Sequence, residues 1–596
     1  MTSGNSEAFL NISNSAKGQR WQARLHDQRL AQTISQTLDV PEILGRVMAA
    51  RGVSTGEAES WLNPTLRALM PQPCALLDLE KGAARLADAI MARERIGVIS
   101  DYDVDGVSSA ALLLRFLRAF GTDAKVYIPD RITEGYGPSE TAVSALKEQG
   151  AELLLTLDCG VLSHDPLAHA AELGLTTIIV DHHQAEVELP QAYAVINPNR
   201  QDDMSGQGHL CAAGVVFLLL ATTNAVLRQR GVYEPAQQPN MLQWLDLVAL
   251  ATVADVVPLK GLNRAFITQG LKIMARRDNL GLAALADVGG LKRKPDVYGL
   301  GFVLGPRINA AGRIGHADEA LALLTTPDKG EAVSLAHSLN ELNRKRQAVE
   351  IRVVDEAVAQ AEAAMGAELK SSSLIVAAEN WHPGVVGLAA SRLKDRFGVP
   401  AIVLAVNKTT GHATGSGRSI NGVNLGKAIR AASDRGLLIK GGGHTMAAGL
   451  TLEMSKLAAF RQFIDETLAA SVAENQERSL LIDGALSAGG ATLDLIELLE
   501  QAGPYGSGNP SPMFVFPAHR IIYADRVGAD HVRCTLVASD GTRLKAIAFR
   551  ALGTELGELL LSERQHPIHV AGRLVVDEWG AKRVASLQIE DASPMV

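Results

Sequence analysis

Ile96-Gly97-Val98-Ile99-Ser100-Asp101-Tyr102-Asp103-Val104-Asp105-Gly106 is a short apolar run that breaks into a turn carrying several carboxylates. Two later stretches repeat the plan: Leu153-Leu154-Leu155-Thr156-Leu157 runs into Asp158-Cys159-Gly160, and Thr177-Ile178-Ile179-Val180 into Asp181-His182-His183. Apolar runs of this length, bounded by turn signals and alternating with helical patterns, read as buried parallel strands. In an open α/β sheet, ligands bind where strands give way to loops, so these exits converge on one crevice. A lone Asp after a strand is ordinarily a helix cap or turn residue. Caps, however, do not call for adjacent imidazoles such as His182 and His183. Crowded carboxylates repel unless a cation neutralises them, and an oxygen-rich site with one or two imidazoles suits Mg²⁺ or Mn²⁺ rather than a thiolate metal.

The segment from Asp101 to Gly106, followed by Asp181-His182-His183, resembles the DHH phosphoesterase superfamily. Thr252-Val253-Ala254-Asp255-Val256-Val257-Pro258-Leu259 and Asn309-Ala310-Ala311-Gly312-Arg313 resemble, more narrowly, the RecJ family of single-strand-specific exonucleases. The resemblance runs from about residue 60 to the C-terminus, with the motifs in the family order. It implies that Asp103, Asp105, Asp158, His182 and Asp255 are metal ligands, that Asp158 bridges two ions, and that Asp101 belongs to the same site. It implies that His183 touches the phosphate or fixes its neighbour's tautomer, that Arg131, Ser416 and Arg418 grip a terminal 5′-phosphate, that Arg313 lies along the strand path, and that His444 faces the scissile phosphate. Two divalent ions can activate a shared water and stabilise the leaving oxygen. Phosphoryl transfer to such a water needs positioning and charge neutralisation, not a Ser, Cys or Lys nucleophile.

The chain has 596 residues, 47% hydrophobic and 20% charged, which is ordinary for a folded protein too long for one core. Cys74, Cys159, Cys211 and Cys534 form no CxxC pair, so neither a zinc site nor a disulfide framework is indicated and a reducing cytoplasm is expected. The first 22 residues lack the apolar core of a signal peptide, and the apolar stretch from Cys211 to Leu227 is interrupted by Thr222-Thr223-Asn224, so a buried helix is expected there and no membrane. Net charge is -8, which excludes a bulk basic DNA binder and confines any nucleic-acid track to a local lining.

The expected fold class is α/β: residues 1–60 form a lead, 61–327 a parallel-sheet DHH domain, 328–366 a connecting helix, 367–480 a second α/β domain of DHHA1 type, and 481–596 a C-terminal β-barrel with an OB-fold. The strand Ala124-Lys125-Val126-Tyr127-Ile128 is expected beside the metal-bearing strands, with Arg131 just past its end. Glycine-rich loops are expected at Thr414-Gly415-Ser416-Gly417-Arg418-Ser419 and Lys440-Gly441-Gly442-Gly443-His444. Neither matches a nucleotide-triphosphatase loop. Phe514, Phe516, Tyr523, Phe549 and Trp579 are candidate stacking rings of the barrel, each also readable as core. The expected activity is removal of 5′-mononucleotides from single-stranded DNA, 5′ to 3′, with two Mn²⁺ or Mg²⁺ ions, in repair and recombination, and with single-strand-binding protein and a helicase as candidate partners. Two alternatives stay open: a sister DHH enzyme acting on short oligonucleotides or small phosphates, and a non-catalytic replication scaffold.

Overall fold

The structure, a computed structural model, describes residues 7–234, 237–366, 371–475, 478–562, 566–577 and 582–595. It divides into two compact units, Met70–Val257 with Phe266–Gln476, and Met1–Leu69 with Pro258–Ala265 and Glu477–Val596.

The larger unit begins its sheet with β1 (Ile96–Ser100), buried on both faces as its apolar run requires. It continues through α1 (Val104–Ala119), β2 (Ala124–Tyr127), α2 (Glu140–Glu148), β3 (Leu153–Leu157), α3 (His164–Glu172), β4 (Thr176–Val180) and β5 (Ala194–Ile196). The strand order is β2-β1-β3-β4-β5, all parallel. The order reverses between β1 and β3, so the crevice at the strand ends opens where Asp101 and Asp158 leave the sheet. The apolar stretch after Cys211 is α4 (Ala212–Gln229), a buried core helix, and α5 (Leu245–Ala254) and α6 (Gly305–Ile314) follow.

A single helix, α7 (Lys329–Gly366), leads to a second sheet, as its uninterrupted pattern predicts. There β6 (Leu374–Glu379), α8 (Pro383–Phe397), β7 (Ala401–Asn407), β8 (His412–Arg418), α9 (Leu425–Asp434), β9 (Lys440–His444) and β10 (Ala447–Glu453) build a sheet of order β9-β10-β8-β7-β6. Only β6 and β7 pair in parallel; the other pairs are antiparallel. The two glycine-rich segments expected to be loops are strands β8 and β9. Their glycines answer to packing: a Cβ on Gly415 would lie 2.5 Å from the Val403 carbonyl oxygen, and one on Gly417 would lie 2.7 Å from Leu425.

In the smaller unit, β11 (Phe514–Val527), β12 (His531–Val537), β13 (Arg543–Ala548), β14 (Ile568–Asp577) and β15 (Val584–Pro594) pair in the order β11-β12-β13-β15-β14, and β14 pairs back onto β11. The five strands close into a barrel, with the short strand Gly484–Ala485 pairing in parallel beside β11, and match the expected OB-fold. Phe514 and Phe516 are core, Tyr523 and Phe549 are exposed, and Trp579 lies outside the described residues. The amino-terminal lead belongs to this unit. Arg20–Ala23 pairs in parallel with Ser479–Ile482, the Trp21 indole donates to Asp591 at 2.9 Å, and Ile34, Leu44, Val47 and Met48 share one core with Phe514, Val532 and Leu536. Arg264 is buried against Trp61 and donates to the carbonyls of Trp61, Ala502 and Gly503.

Candidate metal centre and phosphate pocket

The site starts from the β1 exit. Asp103 is the N-cap of α1: its carboxylate accepts from the amides of Asp105 and Gly106. The bland reading of this residue is therefore true, and the same residue also joins a cluster of potential ligands. Asp105, one residue into the helix, accepts from the first amides of α4, Ala212 at 2.6 Å and Ala213 at 2.8 Å. A helix N-terminus favours negative charge, which holds this carboxylate in place although burial pushes its pKa up. The turn closes tightly because residue 106 is glycine, with no Cβ to meet the Asp101 backbone.

Asp158 sits at φ +61°, in the left-handed region, at the β3 exit. At the β4 exit Asp181 does not point at the cluster. It organises its own loop, accepting from the amides of Val161, His182 and His183 and from His183 Nδ1 at 2.7 Å. Burial opposes its charge, but the His183 hydrogen bond and both imidazoles hold it at about 2. Burial likewise opposes the imidazolium of His183, yet Asp181 raises it to about 9. His182 is different: burial lowers its pKa, and its Nδ1 lies 3.1 Å from the Leu210 carbonyl. Donation of Nδ1–H to that carbonyl leaves the Nε2 lone pair facing Asp158 at 3.2 Å, Asp255 at 3.6 Å and Asp105 at 3.7 Å.

A lone pair aimed at three carboxylates is repulsive unless a cation stands between them. Three overlapping donor groups arise: Asp101, Asp103 and Asp158; Asp105, His182 and Asp255; and Asp158, His182 and His183, each with ligand atoms within 4.8 Å of one another. Asp158 and His182 are each shared by two groups. The Oδ1 atoms of Asp101 and Asp158 are buried with no hydrogen-bond partner, and burial followed by neighbouring carboxylates pushes Asp101 and Asp158 well above the usual range. Asp255 is raised in the same way. Orphaned buried oxygens in an O-rich, N-containing set fit hard divalent ions.

Guanidinium groups gather beside this cluster. Arg131 stacks over Tyr102 at 4.9 Å, and Arg313 donates to the Gly384 carbonyl at 3.1 Å. Burial, joined by the charges of Arg131, Arg346 and Arg418, lowers Arg313 to about 10. Arg418 responds to burial and to Arg131. Ser416 and Arg418 both border the space left by Gly387 of α8, where a Cβ would come within 3.0 Å of the Arg418 guanidinium and 3.4 Å of Ser416 Oγ. Burial lowers the pKa of His444 on β9, and the charges of Arg418 and His183 add to the shift. Of the basic turn on α7, Arg346 points inward to Glu350 and Asn343, whereas Arg344 is exposed and paired with Glu341.

The structure brings Asp101, Asp103, Asp105, Asp158, His182, His183 and Asp255 together in overlapping donor groups, and Ser416 beside Arg418. Sequence reading missed Tyr136, whose hydroxyl donates to the Asp158 carbonyl at 2.9 Å and lies 3.1 Å from His183 Nδ1, and Asn309, whose Oδ1 accepts the first amide of α1 at 3.1 Å. Asn309 lay inside a quoted motif, but its partner is 205 residues away.

This fold and site define a DHH phosphoesterase with its accessory domain: the DHH family N-terminal domain matches residues 95–252 and the DHHA1 domain residues 371–470. The RecJ OB domain matches residues 482–591. The chain is 35% identical over 96% of its length to the whole single-stranded-DNA-specific exonuclease RecJ of Salmonella typhimurium, and 34% identical over 96% of its length to the whole Escherichia coli RecJ. The crystal structure of Thermus thermophilus RecJ in complex with Mn²⁺ matches at a TM-score of 0.79 and 29% identity, covering 96% of this chain and 79% of that one. The chain belongs to the RecJ family of single-stranded-DNA-specific exonucleases.

Proposed function

We propose that the protein is a metal-dependent exonuclease that degrades single-stranded DNA 5′ to 3′, releasing 5′-mononucleotides, in cytoplasmic repair and recombination. The observation that carries this reading is the juxtaposition of shared carboxylate and imidazole donor groups with a cluster of guanidiniums that can take a phosphate. Asp101, Asp103, Asp105, Asp158, His182 and Asp255 would hold two Mn²⁺ or Mg²⁺ ions. When bound, the ions supply an activated water and stabilise the leaving oxygen.

The chain's own groups do the rest. Arg131, Arg418 and Ser416 take the terminal phosphate and Arg313 its neighbour, which fixes the strand by its 5′ end. His183, oriented by its Nδ1 contact with Asp181, meets a phosphate oxygen through Nε2, and His444 serves the same phosphate from the accessory domain. Tyr136 keeps the Asp158 backbone and His183 in register. An enzyme that takes only single strands depends on proteins that make and coat them, so a helicase and single-strand-binding protein are the partners of this reading.

The test is incubation with Mn²⁺ and single-stranded DNA labelled at either end, beside duplex DNA and a short RNA, repeated with Asp158→Ala. Mononucleotides from the 5′ end of the single strand alone, lost in the variant, are expected. Turnover only of the short RNA or a small phosphate would overturn the substrate, and equal cleavage of duplex interiors would overturn the single-strand selectivity.

A further inference from the structure

A cavity of about 370 Å³ lies within the larger unit and is lined by Asp246, in the first turn of α5. Asp255, the metal-site carboxylate, follows the last residue of the same helix. At 1.5 Å per residue the two carboxylates stand roughly 13 Å apart along the axis, so a small molecule held at Asp246 leaves the metal centre free. The volume is that of a small-ligand pocket, which runs from about 300 Å³ upward.

Two of its lining side chains are polar and almost wholly buried, Asp246 at 2% exposure and Asn279 at 5%. Asn279 caps the helix Leu280–Val288: its Oδ1 accepts from the Leu282 amide at 3.2 Å, which fixes the orientation of the side-chain amide. Its Nδ2 is left buried with no hydrogen-bond partner among the described residues, and a buried donor in that state calls for an acceptor. Asp246 accepts from the Leu247 amide at 2.9 Å. Arg115, whose charge acts on Asp246, donates from Nε and Nη2 to the Leu324 carbonyl instead. A carboxylate has about four acceptor sites, so this one has room for further donors. Met274, Leu282 and Leu291 supply apolar wall. Lys292, Arg293 and Lys294, all exposed, complete the lining with cations.

We infer that this cavity is a binding site for a guanine nucleotide: Asp246 accepts from the ring N1–H and the 2-amino group, Asn279 Nδ2 donates to O6, and Lys292, Arg293 and Lys294 hold the phosphates. Guanine presents two donors side by side with an acceptor next to them, which is the complement of a carboxylate and an amide N–H in one cavity. Adenine and cytosine offer a carboxylate one amino group, and the ring N–H of thymine lies between two carbonyls that a carboxylate repels. The apolar wall suits the faces of the base, and the cations suit a terminal phosphate or a chain of them. A 5′-dGMP released from a degraded strand and a free guanosine di- or triphosphate share this chemistry. The site goes beyond the exonuclease reading and does not depend on it.

The experiment is calorimetric titration of the full-length protein, without added metal, with 5′-dGMP, GDP, GTP and the 5′-diphosphates of adenosine, inosine and xanthosine. Guanine nucleotides are expected to bind, and inosine diphosphate, which lacks the 2-amino group, to bind roughly 10- to 150-fold more weakly, the worth of a hydrogen bond to a charged group. Asp246→Asn should lose a similar factor for GDP and gain affinity for xanthosine diphosphate, whose 2-oxo group accepts where guanine donates. Its nuclease rate without nucleotide should match the wild type, which shows that the variant is folded. Asn279→Asp keeps the helix cap but turns a carboxylate toward O6, and should also weaken GDP. Affinity that rises from 5′-dGMP to GTP, and falls in Lys292→Ala/Arg293→Ala/Lys294→Ala, assigns the site to the free polyphosphates; equal affinity for 5′-dGMP assigns it to the released product. No binding, or binding that ignores the base and is unmoved by Asp246→Asn, overturns the site, and in the second case places the nucleotide in the 5′-phosphate pocket. Displacement of GDP by an oligothymidylate would overturn it as well. The exonuclease reading stands in each of these cases, because strand cleavage is measured separately.

Discussion

Gly106→Ala is the sharpest probe of how the turn from Asp101 to Gly106 aims its carboxylates. An alanine Cβ at this position would lie 2.4 Å from the Asp101 carbonyl oxygen, 2.7 Å from its carbon and 2.9 Å from its Cα, all backbone atoms that no rotamer change can move. Relief to ordinary contact, about 3.4 Å, requires a shift of roughly 1 Å in the turn or in the start of α1. Asp101, Asp103 and Asp105 ride on that turn, and a 1 Å misplacement at a catalytic centre costs about 100-fold in rate. Overpacking costs about 1–3 kcal/mol of stability. Within a helix, Gly to Ala ordinarily gains about 1 kcal/mol, so a loss here is diagnostic of the clash. The assay is the initial rate on single-stranded DNA at saturating Mn²⁺, alongside a urea midpoint, with Gly56→Ala as a control because a Cβ there meets nothing within 4 Å. A variant within about threefold of the wild-type rate and equally stable would refute the reasoning.

Three further outcomes follow from other parts of the molecule. Asp158→Asn removes the carboxylate shared by two donor groups and should lower the rate at least ~100- to 1,000-fold; by calorimetry the metal-free variant should be more stable than metal-free wild type, and the stabilisation of about 2.7 kcal/mol expected of wild type at a metal concentration 100 times Kd should be reduced. Burial pushes Asp246 up to about 6 against an ordinary 3.8, so the folded state holds the proton more tightly and stability is lost as pH rises between those values. Asp246→Asn should therefore be more stable than wild type by about 3 kcal/mol near pH 7, with the gap closing below pH 4, as read by urea midpoints across pH. Arg264→Leu strands three carbonyls that Arg264 now serves and should destabilise the smaller unit by roughly 3 kcal/mol or more, seen in its thermal transition.

The catalytic sheet was legible because each of its strands announces itself locally, as an apolar run ended by a polar turn, and because the ligand types sit at those ends. Asp103 shows the limit of residue-by-residue reading, since its cap and site roles are both real and only the partners of its two oxygens separate them. Strands β8 and β9 read as loops because glycine lowers strand propensity, while the reason for Gly415 and Gly417 lies in β7 and α9, which no local window contains. Tyr136 lies in a segment with no periodic signal, and its hydroxyl meets Asp158 and His183 only in the fold. The lead's membership of the barrel unit was invisible for the same reason: Arg20 pairs with Ser479 across most of the chain.

That last pairing has a consequence for synthesis. Residues 7–69 are made well before their strand partner, the Asp483 carboxylate that pairs with Arg51 at 2.7 Å, and the barrel half of their core. At elongation rates of about 5–20 residues per second the wait is roughly 20–80 s, during which Ile34, Leu44, Val47 and Met48 lack the barrel side of their native cover. This early-made segment is therefore among the last to complete its core.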